Sequence, residues 1–205
     1  MRMRKPITEG GPDRLVALSD GVFAIAITLL VLDISVPQDL DSAQFHQALA
    51  DTLPNLGAYA VSLAVLGGFW RDQRAIFRPV RQVDPDVIGL TVLGLGLAAL
   101  LPFPTALVSE YGDERVSVVV YSAAVASLGA VHLALAAVIA RRPWLRGDAE
   151  PVRDQFLYAV DLGATVVVFV VTIPLALVVG PAAMWWWLVL LPVKVWLGRK
   201  ENAAG

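Results

Sequence analysis

The sequence predicts an all-α membrane protein with six transmembrane helices and both termini in the cytoplasm, and three observations lead to this fold class. Hydrophobic residues make up 57% of the 205 positions and charged residues only 17%. Several apolar runs reach the roughly 20 residues that a helix needs to cross a hydrocarbon core of about 30 Å. Basic residues are concentrated in alternate polar segments, which is typical of a polytopic membrane protein.

We expect a single membrane domain over residues 1–205, divided into six spans. The spans are predicted at about residues 14–36, 53–70, 86–108, 116–140, 155–179 and 182–197. Asp13 is predicted as the N-cap of the first span and Pro37 as the residue that stops it. The acidic segment 38–51 that follows is expected to hold a short interfacial helix.

Proline, glycine and tryptophan mark the ends of the later spans. Pro54 lies in the first turn of span two, where proline is tolerated. Pro102 and Pro104 are expected to kink or unwind the end of span three. Gly180-Pro181 is expected to turn the chain between spans five and six. The three tryptophans at 185–187 suit a membrane interface, where aromatic belts form.

The basic residues fix the orientation of the six spans. Four groups of basic residues lie on one predicted side: Arg2, Arg4, Lys5 and Arg14; Arg71, Arg74, Arg78 and Arg81; Arg141, Arg142, Arg146 and Arg153; Lys194, Arg199 and Lys200. Of the 16 Lys and Arg residues, only Arg115 falls in a loop on the other side. Because cytoplasmic loops carry the excess of positive charge, both termini are predicted to be cytoplasmic.

Several classes of function find no support in the sequence. The chain has no cysteine and no hydrolase, zincin, P-loop or dinucleotide motif, so we expect neither an enzyme nor a cofactor-dependent protein. The basic loops are explained by topology, so no nucleic-acid partner is expected. His46 and His132 have no neighbour at metal-ligand spacing, and helix packing is the favoured interpretation of His132. The sequence also lacks a TVGYG-type selectivity loop.

Polar residues inside span one require an explanation, because ionisable groups are costly within a membrane. Ser19 and Asp20 lie well inside the first apolar run. Arg14 and Asp20 are about 120° apart around a helix of 3.6 residues per turn, so they cannot pair on one face. Asp20 therefore needs a partner from another helix or a rearranged first turn. Asp161, near the start of span five, is interpreted as a structural charge.

A stripe of small or polar residues also runs along span one. Its members are Ala17, Gly21, Ile25, Thr28, Leu32 and Ser35, which fall within about 80° of one another on a helical wheel. One interpretation, favoured by the wheel alone, is a face for close helix packing. The other is a pore lining in which Ile25 and Leu32 form hydrophobic constrictions and Thr28 supplies a ring of hydroxyl groups.

Several segments resemble the transmembrane protein 175 family of potassium channels. The run R-L-V-A-L-S-D at residues 14–20 is similar to the R-x-x-x-F-S-D signature of the first helix in this family. The resemblance continues through GVFAIAITLLVLDI, Phe69-Trp70, the run from Leu100 to Val108, and Tyr111. It covers nearly the whole chain.

The resemblance implies a potassium channel of modest selectivity and an unusual fold. Four six-span subunits would surround a pore lined by the first helix of each, in the membrane of a prokaryotic cell. By position, Ile25 matches the hydrophobic constriction, Thr28 the hydroxyl layer linked to selectivity, and Leu32 a further apolar layer. In the family, a network of side chains holds the first helix to its neighbours. The matching positions in this chain are occupied by Arg14, Ser19, Asp20, Trp70 and Gln73.

Two positions depart from the family pattern. Leu18 stands where the signature has phenylalanine, which should loosen packing there. Gln73 stands where relatives carry histidine, and glutamine cannot be protonated. Two other functions stay open: a secondary transporter with Asp20 as its proton or cation site, and a non-conducting membrane scaffold in which the stripe only packs.

Overall fold

The structure is a computed structural model that describes residues 11–147 and 152–190. In these residues the chain forms α1 (Pro12–Leu30), α2 (Ser42–Asp51), α3 (Leu53–Phe77), α4 (Pro85–Leu100), α5 (Pro102–Glu110), α6 (Arg115–Arg141) and α7 (Val152–Val179). A 3-10 helix follows each of α1, α6 and α7, at Val31–Asp33, Pro143–Leu145 and Gly180–Val189. Extended pairing in the described ranges is limited to an isolated bridge between Val80 and Arg146. The predicted all-α class is confirmed.

Four helical stretches are long and apolar enough to cross a membrane. They are Ser42–Phe77, Pro85–Glu110, Arg115–Arg141 and Val160–Trp187. The 19 residues of α1 include three charged ones, Asp13, Arg14 and Asp20, and α1 is not among the four. The chain is therefore a helical membrane protein, while the total of six spans stays a prediction.

The ends of α1 differ from those predicted. Gly11 is the N-cap, Pro12 opens the helix, and Asp13 lies inside the first turn, so the prediction of Asp13 as N-cap was wrong. The α-helix ends at Leu30 and tightens into a 3-10 turn up to Asp33, before the predicted stop. Ile34 is already extended, three residues before Pro37, so the prediction that Pro37 stops the helix was wrong.

The helix of span two extends beyond its predicted end. α3 continues through Trp70 to Phe77, seven residues past the predicted end of span two at residue 70. The residues after Trp70 are strongly polar, but they include good helix formers and no proline or glycine before Pro79. Their charge ends the apolar run without ending the helix. Gln73 and Arg74 consequently lie one turn beyond Trp70 on the same helix.

Three other local features agree with the sequence: a short helix, a helix break and a turn. The short helix expected in segment 38–51 is α2, whose start is fixed by a capping box between Asp41 and Gln44. The predicted interruption of span three is confirmed, since α5 starts anew at Pro102. α7 ends where Gly180 adopts a left-handed φ of 72°, a conformation that suits glycine.

The predicted sixth span and the basic residues at the chain ends lie partly or wholly outside the described ranges. Up to Val189 the predicted span is a 3-10 helix instead of an α-helix, and its residues from 191 onward lie outside the described ranges. The basic residues at both chain ends also lie outside them: Arg2, Arg4, Lys5, Lys194, Arg199 and Lys200. The orientation inferred from the charge pattern therefore stays a prediction.

The core forms around α6, which packs against α7 and α4, while α1 packs against α3 and α4. A buried hydrogen-bonded network joins three helices at the centre. Ser62 Oγ of α3 lies 2.8 Å from Thr105 Oγ1 of α5 and 3.0 Å from the hydroxyl of Tyr121 of α6. Such interhelical hydrogen bonds hold membrane helices in register. They fix the scaffold on which α1 rests.

Close packing of α6 against α7 depends on Gly129. A Cβ atom at this position would lie 2.6 Å from Val166 Cγ2, and the branched valine has little rotamer freedom to move. We expect Gly129→Ala to destabilise the protein by about 1–3 kcal/mol through overpacking. Gly96→Ala on α4, with nothing within 4 Å, is the control and should be neutral or slightly stabilising. Midpoints of thermal unfolding in detergent test this, and equal midpoints would contradict it.

Candidate functional site

The predicted stripe of α1 is an exposed face in this structure. Ile25 is 61% exposed and Leu32, in the 3-10 turn after the helix, is 70% exposed. Thr28 lies between them and is also exposed. The opposite side of α1 is buried through Ser19, Phe23, Ala26 and Leu30. We call the exposed side, formed by Ala17, Gly21, Ile25, Thr28 and Leu32, the α1 outer face.

The hydroxyl group of Thr28 has a defined hydrogen bond. Its Oγ1 donates to the carbonyl oxygen of Ile25 at 2.8 Å, within the same helix. A threonine hydroxyl has one proton to donate and two lone pairs to accept with. Because the proton is used by the backbone, the oxygen lone pairs remain available on the α1 outer face. This arrangement can offer an oxygen ligand to a cation.

The carboxylate of Asp20 finds its partners on α3, so the first of the two expected arrangements, a partner from another helix, is the one observed. Trp70 Nε1 donates to Asp20 Oδ1 at 2.8 Å. Arg74 Nη1 lies 3.6 Å from Asp20 Oδ2. The guanidinium group of Arg74 also lies 5.4 Å from the centre of the Trp70 ring, within the range of a cation–π contact. One carboxylate is thus held by an indole and an arginine that are one helical turn apart.

A second contact, next to the first, is fully buried. Gln73 Nε2 donates to Ser19 Oγ at 3.3 Å, and Ser19 Oγ donates to the carbonyl oxygen of Leu15 at 2.7 Å. Ser19 is 2% exposed and Gln73 3% exposed. Both side chains are neutral, so this contact does not change with pH. We call Ser19, Asp20, Trp70, Gln73 and Arg74 the α1–α3 polar cluster.

Arg14 and Leu18 do not join this cluster. Arg14 is exposed, and its side chain makes no hydrogen bond or ion pair with any residue in the ranges 11–147 and 152–190. Its backbone N–H donates to the carbonyl oxygen of Gly11 at the start of α1. Leu18 is exposed as well. Four of the five residues predicted to hold the first helix therefore meet, and Arg14 does not.

Arg74 belongs to the site but was missed as a site residue. It lies beyond the predicted end of span two, so the hydropathy pattern gave no reason to place it one helical turn after Trp70. The spacing of four residues between Trp70 and Arg74 is the signal that could have found it, because such residues are neighbours on a helix.

A separate ion-pair cluster, also missed, fixes the end of α6 to the start of α4. Asp84 is the N-cap of α4 and accepts from the backbone N–H of Val87 at 2.9 Å. Arg142 donates to Asp84, and it donates to Asp86 at 2.7 Å. The hydrogen bond with Asp86, followed by the contacts with Asp84, raises the pKa of Arg142 above its usual value. We interpret this cluster as structural.

The remaining polar candidates do not form a catalytic or metal site. His132 is buried, its Nδ1 donates to the carbonyl oxygen of Leu128 at 3.0 Å, and its ring packs on Phe69. Asp161 lies inside α7, well after its start at Val152, so it is not a charge at the helix N-terminus. Among the described residues, no group of His, Cys, Asp and Glu side chains could hold a metal ion.

Comparison with known sequences gives one family for the first half of the chain. Residues 14–102, which include α1 except for its first two residues and all of α2, α3 and α4, match the sequence model of the endosomal/lysosomal potassium channel TMEM175. A protein of Streptomyces collinus named a potassium channel is 44% identical over 124 residues, which cover 60% of this chain. A potassium channel of Chamaesiphon minutus is 40% identical over 114 residues, or 53% of this chain. The matches span 59% and 56% of these relatives' lengths.

Comparison with solved structures extends the similarity to nearly the whole chain. The crystal structure of a lysosomal potassium-selective channel TMEM175 homologue from Chamaesiphon minutus superposes with a TM-score of 0.75 and 27% sequence identity. The superposition covers 93% of this chain and 97% of the other. The similarity therefore includes α5, α6 and α7, which lie largely beyond the family match.

Proposed function

We propose that this chain, a homologue of the TMEM175 proteins across residues 14–102, is a passive potassium channel whose pore is lined by α1. The observation that carries the proposal is the α1 outer face. It exposes Ile25, Thr28 and Leu32 together, on a helix that the α1–α3 polar cluster holds at its other side. A helix that only faced lipid would need neither the hydroxyl group nor the polar anchor.

A pore requires more than one copy of the chain, because one helix cannot enclose a conduction path. We propose a homotetramer in which each subunit contributes one α1 outer face to a central axis. The large exposure of Ile25 and Leu32 in the single chain supports this arrangement, since neighbouring copies would cover them. The number four comes from the family resemblance.

Ile25 would act as the gate. A narrow ring of aliphatic side chains cannot replace the hydration shell of an ion, so a closed ring excludes ions by dewetting. Leu32 would form a second apolar ring further along α1. Thr28 lies between them and would supply hydroxyl oxygens to a partly dehydrated cation. Selectivity should be modest, because the sequence has no TVGYG loop that could surround the ion with carbonyl groups.

Opening requires α1 to tilt or rotate, and the α1–α3 polar cluster lies where a pivot would be needed. It contacts α1 at Ser19 and Asp20, in the first half of the helix, so a tilt of α1 would be centred there. We propose that the N-terminal end of α1 faces the cytoplasm, that six spans cross the membrane, and that the protein resides in a prokaryotic cell membrane. The positive-inside pattern supports this orientation.

Substitution of Thr28 tests the role of the hydroxyl ring. In proteoliposomes, Thr28→Ala is expected to lower the ratio of potassium to sodium flux by roughly fivefold, which corresponds to one net hydrogen-bond-sized interaction of about 1 kcal/mol. Thr28→Ser keeps the hydroxyl group and is the matched control, so it should retain the ratio. Equal ratios in all three proteins would remove Thr28 from the selectivity mechanism.

The same assay separates the channel from the two other functions. A channel conducts potassium down its gradient without a second ion. A secondary transporter requires a coupling gradient of protons or another cation, and a scaffold gives no flux at all. Absence of flux in a folded tetramer would therefore rule out the proposed function.

A further inference from the structure

A groove of about 420 Å³ lies between the start of α1 and the C-terminal end of α3. Among the described residues, its charged lining consists of Arg74, Arg78 and Arg81 together with a single acidic residue, Asp13. Its apolar lining includes Val16 and Phe77. We call it the basic groove. The excess of arginine side chains makes it attractive to an anion.

The positive-inside rule explains why arginines lie on this side of the protein, but not why three of them line one concavity. Arg74 and Arg78 are one helical turn apart at the end of α3, so they project from neighbouring positions. The chain then passes Pro79, and Arg81 returns to line the same groove. α1 also begins here, and the positive end of its helix dipole adds to the field.

The depth of the basic groove matches that of lipid headgroups. The apolar run of α3 ends at Trp70, and Arg74, which lines the groove, lies about 6 Å further along the helix axis. Headgroups extend roughly 5–8 Å beyond each side of the hydrocarbon core. The lining combines arginines with buried apolar side chains such as Phe77. Such a lining suits a phosphate carried by an amphiphile better than a free inorganic ion.

We infer that the basic groove binds the phosphate group of an anionic phospholipid and that the bound lipid competes with Asp20 for Arg74. Arg74 has one guanidinium group, and it serves both sites. It lines the basic groove, and its Nη1 lies 3.6 Å from Asp20 Oδ2 in the α1–α3 polar cluster. The Arg74 side chain is 53% exposed, so it can turn towards a ligand.

This shared arginine couples lipid binding to the position of α1. A lipid phosphate that draws Arg74 away weakens the contact with Asp20 and leaves Trp70 as the remaining partner of that carboxylate. By thermodynamic linkage, a state in which α1 has already released Arg74 binds the lipid more tightly. Anionic lipid should therefore favour movement of α1. Only this consequence for flux rests on the proposed function; binding itself does not.

Binding is tested on the purified full chain in detergent, with the midpoint of thermal unfolding as the readout. The probes are dihexanoyl phosphatidic acid, dihexanoyl phosphatidylcholine and inorganic phosphate. We expect phosphatidic acid to raise the midpoint at lower concentration than the other two. A response to inorganic phosphate equal to that to phosphatidic acid would overturn the assignment to a lipid. Absence of any response would overturn the site.

Matched variants separate the groove from the general charge of this surface. The double variant Arg78→Gln/Arg81→Gln should weaken phosphatidic acid binding by about fivefold for each arginine removed. Arg71→Gln/Arg141→Gln removes the same charge from exposed positions outside the groove, and should have much less effect. Asp13→Asn should strengthen binding, a gain that misfolding cannot mimic. Equal losses in the two double variants would overturn the groove as a specific site.

The coupling is tested by potassium flux from vesicles of phosphatidylcholine with and without phosphatidic acid. We expect phosphatidic acid to raise flux through the parent protein and to have little effect on Arg78→Gln/Arg81→Gln. If the two kinds of vesicle give equal flux although the protein in detergent binds phosphatidic acid, the proposed competition for Arg74 would be overturned. If the parent protein gives no flux in either vesicle, the coupling and the channel function fail together, while the binding result stands.

Discussion

Replacing Ile25 with asparagine is expected to raise potassium flux from proteoliposomes by about tenfold or more, equivalent to lowering a barrier by ~1.4 kcal/mol. Ile25 is the most exposed aliphatic residue within the helical part of the α1 outer face. In the proposed tetramer four copies form the apolar ring that dewets the pore. An asparagine amide can donate to water and accept from it, so a polar ring would stay hydrated and pass ions.

Two controls separate polarity from other effects of the substitution. Ile25→Leu preserves volume and apolar character, so its flux should match that of the parent. Val92→Asn places the same amide on α4, at a position 53% exposed, and should not raise flux. A folded tetramer that gives no flux with either the parent sequence or Ile25→Asn would refute the pore assignment.

Removal of the Asp20 carboxylate is expected to have the second largest effect. Asp20→Leu leaves Trp70 Nε1 and Arg74 without their partner on α1, so the buried Ser19–Gln73 hydrogen bond is the polar contact that still links α1 to α3. The stability loss should be about 1 kcal/mol, because the Asp20 side chain is 39% exposed and solvent screens both contacts. The functional loss should be larger: we expect potassium flux to fall towards background, since the pore depends on where α1 stands.

A double-mutant cycle gives this prediction a sharper test. Asp20→Asn keeps an oxygen that accepts from Trp70, so it should retain more flux than Asp20→Leu. Trp70→Phe removes the donor and keeps an aromatic ring. If the hydrogen bond holds α1, the effects of Asp20→Leu and Trp70→Phe on unfolding should be non-additive by roughly 0.5–1 kcal/mol. Additive effects would show that the two residues act independently.

The contacts that hold α1 to α3 were predictable from the sequence only in part, for a physical reason. The angle between Arg14 and Asp20 on a helix required a partner for Asp20 from elsewhere, and the structure supplies Trp70 and Arg74. Trp70 was expected only through the family resemblance. Arg74 was missed because hydropathy reports where an apolar run ends, whereas helix propensity and the next proline decide where the helix ends.

The role of the α1 outer face was also predictable only in part. The wheel grouped Ile25, Thr28 and Leu32 but could not distinguish a packing face from a lining, since both favour small and polar residues. The structure leaves this face exposed and buries the opposite one within the single chain. Among the described residues, Ile25 and Leu32 are left mostly uncovered, so packing inside the subunit gains no support for these two side chains.

By itself, the sequence determined the helical membrane class, the break of span three at Pro102, and the grouping of the α1 outer face, because these depend on local composition and helical period. Tertiary structure alone decided that Arg74 meets Asp20, that Arg14 stays apart from the cluster, and that three arginines line one groove beside α1. Those contacts join residues far apart in the chain. They depend on how α1 and α3 pack, which no local pattern encodes.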